Sequence, residues 1–203
     1  MRRITKAALG GVAGCALVLG GTQVASGVLS TIFREQSENL LTDPLVDRPF
    51  DYAKATITIT LDDVEGKDKS STFRIDLTKI DPTAAGKTLG SHLHSGPCVE
   101  DLGASAGPHY NHDVVTRNKV FPAPGEPPGR IAEVSPNTEV WFDLIPDAAG
   151  VASDETTVPF VPVDPDGIMS VVVHVLPTNP TTGGAGTRQA CFPLSVSNIF
   201  QTS

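Results

Sequence analysis

Polar and apolar residues alternate in short runs along most of this chain. Thr56-Ile57-Thr58-Ile59-Thr60-Leu61 repeats with period two, the mark of a strand with one buried face. Thr72–Leu77 does the same, and the charged stretch Asp62–Ser71 between them predicts a hairpin. Thr88–His94, Glu139–Leu144, Ala152–Phe160, Ile168–Val175 and Ala190–Val196 are the other strand candidates. Pro146–Gly150 reads as the turn joining Glu139–Leu144 to Ala152–Phe160. Cys98–Pro128 is rich in Gly and Pro and reads as a long loop, which in a compact domain is functional or pinned. Helical periodicity is scarce. About eight short strands at this spacing predict an all-β sandwich or barrel.

The ends of the chain break this pattern. Arg2, Arg3 and Lys6 precede an uncharged run of small and apolar residues, Ala7–Gly21. That order predicts an export segment over residues 1–26. Val24-Ala25-Ser26 is a candidate cleavage site, and Val12-Ala13-Gly14-Cys15 resembles a lipobox that would lipidate Cys15. Secretion, a lipid anchor and an uncleaved membrane anchor all stay open, and each places the domain outside the cytoplasm. Residues 27–51 lack alternation and read as a linker, with one helical turn near Glu35–Leu41. The domain proper is then 52–203.

Net charge is −8, with no interleaving of basic and aromatic residues, so nucleic acid is not an expected partner. With Cys15 in the export segment, Cys98 and Cys191 remain. In an oxidising compartment they are expected to form one disulfide.

The candidate chemistry lies in the histidines. His92 and His94 form an H-x-H pair that a strand would present on one face. His109 sits in Gly107-Pro108-His109-Tyr110-Asn111, and His174 ends Val171-Val172-Val173-His174. Four imidazoles suit copper, zinc, iron or nickel. His112 reads as a rim residue, and Trp141 and Phe142 as packing residues of a strand.

The neighbourhoods of these histidines narrow the choice. Gly90-Ser91-His92-Leu93-His94 fits G-x-H-x-H, and Ser105–Asn111 fits S-A-G-P-H-x-N. Val172-Val173-His174 and Gly186-Thr187-Arg188-Gln189-Ala190-Cys191 follow in order. The set resembles the copper/zinc superoxide dismutase family over roughly residues 53–196. The resemblance implies a Greek-key β-barrel of immunoglobulin-like sandwich type. It implies copper at His92, His94, His109 and His174, and a Cys98–Cys191 disulfide. It also implies superoxide as substrate, with Arg188 guiding the anion and His109 taking part in turnover.

Two departures stand out. That family builds a zinc site from further histidines and an aspartate after the bridging histidine, here His109. Between His109 and His174 this chain has only His112, three residues on. The segment Val175–Thr187 is short and carries no charge, where the family has a longer charged loop. Both departures resemble a copper-only branch, with one copper ion and no zinc expected. Without zinc, a carboxylate would have to orient His109. Glu139 is the preferred candidate, with Asp143 and Asp113 as alternatives. A copper-binding protein of the same fold without dismutase activity, for storage or delivery, is the competing reading. A cupin-like jelly roll using Glu100 would leave the contexts of Cys98, Cys191 and Arg188 unexplained. Oligomeric state is not legible in the sequence.

Overall fold

The computed structural model describes residues 22–25, 28–41, 48–64, 70–100, 102–163 and 168–195. Within them, nine strands form two antiparallel sheets that face each other as a sandwich. One sheet runs β1 (Thr22–Ala25), β2 (Val28–Glu38), β3 (Lys54–Val64), β4 (Ser70–Thr78) and β7 (Ala152–Val158) in that spatial order. The other runs β6 (Trp141–Leu144), β5 (Leu89–His94), β8 (Ile168–His174) and β9 (Arg188–Ser195). β7 pairs with β4, and β8 with β5, so the chain crosses between sheets in Greek-key fashion.

Alternation explains the core. Ala55, Ile57 and Ile59 of β3 and Phe73, Ile75 and Leu77 of β4 point inward. They meet Leu89 and Leu93 of β5, Met169, Val171 and Val173 of β8, and Phe192 of β9. Burying each large aliphatic or aromatic side chain contributes about 1.5–3 kcal/mol. The sandwich edges are stitched by side chains. Glu35 Oε2 accepts from Ser195 N at 2.7 Å, and Asp154 Oδ2 accepts from Asp143 N at 2.8 Å.

β5 departs from simple alternation, because all six of its residues are buried. Leu89 and Leu93 face the core, so Gly90, His92 and His94 face outward under two loops. Gly90 shows how closely one loop lies. A methyl group there would stand 2.6 Å from Thr178 Oγ1 and 2.7 Å from Ala185 Cβ. A methyl on Gly96 would stand 2.5 Å from Ser105 O of the other loop.

Two expectations require correction. Residues 28–38, expected within a linker, form β2 in continuous register with residues 54–64, with Phe33 packed against the core. No helical turn forms at Glu35–Leu41; strand pairing with β3 takes its place. The expected loop Cys98–Pro128 also contains α1 (His112–Arg117). Asn111 caps α1 by accepting from Asp113 N and Val114 N, and Asn118 ends it in the left-handed conformation at φ 51°. The export features at residues 1–21, including Cys15, lie outside the described residues. Among the described residues no helix is long and apolar enough to cross a membrane.

Cys98 and Cys191 are joined in a disulfide with Cα atoms 5.6 Å apart. It ties the loop after β5 to β9 and fits an oxidising, extracytoplasmic compartment. Because it closes a loop spanning a sequence separation of 93, chain entropy alone gives it about 4–5 kcal/mol of stabilisation. Replacing both cysteines by serine is therefore expected to lower unfolding free energy by about 3–5 kcal/mol in urea titrations. Reductant should shift the parent midpoint and leave that variant unchanged.

Candidate metal centre

Strand geometry brings the four rings together. His92 and His94 share the outer face of β5, and β5 pairs with β8 so that His92 lies opposite Val172. His174 follows two residues later, at a register shift between Val173 and His174 that reorients the strand end. His109 reaches the same place because its segment pairs back onto β5. His94 and His109 form an antiparallel bridge, and Tyr110 N donates to Leu93 O at 2.8 Å. The potential ligand atoms of all four lie within 4.8 Å of one another, so the cluster could bind a metal ion.

Each ring has one nitrogen held from outside. His94 Nδ1 is 3.0 Å from Gly107 O, and His174 Nδ1 is 2.9 Å from Gly186 O. Carbonyls only accept, so both rings carry their proton on Nδ1 and turn Nε2 inward. Those two Nε2 atoms are 3.4 Å apart. His92 is oriented the other way, with Nε2 3.0 Å from Thr178 Oγ1. Its Nδ1 is buried and, among the described residues, has no hydrogen-bond partner. A buried acceptor left unpaired costs roughly 1–3 kcal/mol, and a metal ion would satisfy it. The donor set therefore fits a nitrogen-liganded metal.

His109 is held by charge. Its Nδ1 is 2.9 Å from Glu139 Oε2. Glu139 is 1 % exposed and accepts three bonds in all. Trp141 Nε1 donates to Oε2 at 2.8 Å and Asn111 Nδ2 to Oε1 at 3.0 Å. Three donors, one of them the ring it orients, offset the cost of burying a carboxylate. The sequence already held a cue to Trp141: in Glu139-x-Trp141 on an extended segment, both side chains fall on one side. His109 is the most exposed of the four and opens onto a cleft of about 590 Å³ walled by Pro108, Phe121, Pro122 and Val134.

The alternative carboxylates are placed elsewhere. Asp143 Oδ1 accepts from Thr178 N at 3.0 Å, so it steadies the residue that holds His92 and does not reach His109. Asp113 sits in the first turn of α1 and pairs with Arg117 at 3.0 Å. His112 lies apart from the cluster, stacked on Phe160 at 4.5 Å and bonded to Tyr110 Oη at 3.1 Å. Thr178 and the carbonyls of Gly107 and Gly186 were not legible as site residues.

Arg188 lies at the start of β9, opposite His174. Its guanidinium donates to Gly103 O and Gly107 O. Gly107 O is thus shared between Arg188 and His94. Burial lowers the guanidinium pKa somewhat, yet the group stays cationic.

Burial keeps His92, His94 and His174 neutral. Desolvation, reinforced by His109 and the other rings, pushes His92 down to about 2. Desolvation and then His109 bring His94 down to about 2 as well, against the pull of Gly107 O. His174 falls to about 4, chiefly through burial. Neutral imidazole is the metal-binding form, so protons compete weakly here at neutral pH.

The sign of the pH effect follows. These folded pKa values lie below the unfolded value of 6.5, so below 6.5 the unfolded chain takes up protons that the folded one refuses. In metal-free protein these three rings contribute stability that is fully present above pH 6.5 and is lost as pH falls below it, each by at most about 1 kcal/mol per pH unit. Urea midpoints at pH 7.5, 6 and 5 check this; a flat profile would contradict it. A scan against protein-family models finds no match to this chain, and no curated protein shows significant similarity to it.

Proposed function

We propose that this chain binds one copper ion at His92, His94, His109 and His174 and dismutates superoxide outside the cytoplasm. The observation that carries the reading is the polarity of the four rings. Each is fixed through its outer nitrogen, which leaves four nitrogens aimed at one point, with a cation beside them. Four imidazoles suit tetragonal Cu(II). Copper, when bound, supplies the one-electron couple needed to oxidise one superoxide to dioxygen and reduce another to hydrogen peroxide.

The protein's residues supply the rest. Arg188 attracts and hydrogen-bonds the anion near the centre, offering a permanent charge in a planar fork of donors. Glu139 holds the proton of His109 at Nδ1, so Nε2 is the nitrogen that faces the centre. That same Nε2 is where His109 can hold a proton destined for peroxide. The cleft at His109 gives this ring a path to solvent protons. Thr178, Gly107 and Gly186 keep the other three rings from turning.

Metal analysis and a dismutation assay on the same purified sample test the reading. One copper per chain with negligible zinc and rapid dismutation is the expected result. Stoichiometric zinc would contradict the copper-only assignment. Copper without dismutation would favour a storage or delivery role. Arg188→Ala should lower the rate about tenfold or more and remove most of its salt dependence, since no charged residue lies in 175–187. Glu139→Gln should cost about 10–100-fold in copper affinity or activity, as loss of a group behind a ligand does. If its activity equalled that of the parent, Glu139 would have no part in holding His109.

A further inference from the structure

The segment just after β2 packs against the machinery that holds Arg188. Asn39 is 6 % exposed, and its side chain makes four bonds. Nδ2 donates to Phe50 O at 2.9 Å and Leu41 O at 3.1 Å. Oδ1 accepts from Leu41 N at 2.9 Å and from Cys191 N at 2.9 Å. Leu40 N donates to Cys191 O at 3.0 Å. Both backbone groups of Cys191, the disulfide partner on β9, are therefore held by this strap.

Leu41 carries the contact onward. It is 5 % exposed and packs with Cys191, Ala106 and Val172, next to Cys98. It also presses on the turn Gly103–Ala106. A methyl group on Gly103 would stand 3.2 Å from Leu41 Cδ2 and 3.7 Å from Arg188 Cδ. Gly103 is thus wedged between Leu41 and the Arg188 stem, and its carbonyl takes one of the guanidinium's hydrogen bonds. The other goes to Gly107 O, which also fixes His94.

We propose that Asn39 and Leu41 are positioning residues for Arg188. They act through Cys191 and the turn Gly103–Gly107, and set how tightly an anion binds beside the four-histidine centre. This rests on the reading of Arg188 as the anion-binding cation. The physical reason is that, among the described residues, Arg188 is held by carbonyls of a loop and not by a carboxylate. Nothing in that hydrogen-bonding fixes the loop itself. The disulfide anchors one end of the loop, and Leu41 buttresses the turn at the carbonyl that Arg188 uses.

Azide binding to the copper-loaded full chain, followed by absorption, tests this. Copper electron paramagnetic resonance on each sample serves as the control for the ligand set. Leu41→Ala and Asn39→Ala are expected to raise the azide Kd several-fold, toward the value for Arg188→Ala, with the copper spectrum unchanged. Leu41→Met, which keeps the volume, should match the parent. The decisive result is the double variant: adding Leu41→Ala to Arg188→Ala should weaken azide no further, because residues acting through one group are non-additive. A merely structural role would give additive losses, and that outcome would overturn the proposal, as would an unchanged Kd in Leu41→Ala. If Leu41→Ala does not fold, Leu41→Val carries the same comparison. Should Arg188→Ala leave azide affinity unchanged, or the chain fail to bind copper, the underlying reading fails and the positioning role goes with it.

Discussion

Four imidazoles around one point, three of them buried, impose two demands on each ring. The outer nitrogen needs a partner, and the inner one has to stay free of any. The structure meets the first with a threonine hydroxyl, two backbone carbonyls and a carboxylate. It meets the second by arranging the rings so that their free nitrogens face each other. Much of the loop structure follows from this. The loop after β8 folds over β5 to bring Thr178 and Gly186 to their rings, and Gly90 lacks a side chain so that it can. The loop after β5 turns at Gly107 to offer one carbonyl to His94 and Arg188 together.

The four rings are not equivalent. Three are held by neutral acceptors, and one by a buried carboxylate with two further donors. His109 is also the ring that opens onto a cleft. The ring with the strongest electrostatic restraint is thus the one with most access to solvent. In the proposed reading, those two properties suit a ring that handles a proton, whereas the deeply buried His92 and His94 suit a fixed frame.

What the sequence disclosed, and what it concealed, divide along a physical line. The H-x-H pair on a strand is legible because period two is a local property, and the inward strands are legible for the same reason. Glu139 could be named because only a few carboxylates follow His109 within reach. The carbonyls of Gly107 and Gly186 could not be, since every residue has one and only the fold selects which is used. β2 was missed because it pairs with β3 along its length while showing little alternation of its own. Asn39 and Leu41 were missed because their partners lie far along the chain, at Cys191 and Gly103. The helix α1 is too short for periodicity to reveal.

Charge adds a last constraint. The chain carries −8 overall, so at long range an approaching anion meets net repulsion. At physiological ionic strength, fields from exposed charges fade over about 8 Å. In the proposed reading, the anion is selected close to the centre, where one partly buried guanidinium outweighs distant acids. A single cation is effective only if it stays where it is aimed. Two carbonyl bonds leave that aim to the loop that bears the carbonyls. The disulfide and the strap at residues 39–41 pack against that loop, and under the proposed positioning role a segment remote in sequence belongs to the site.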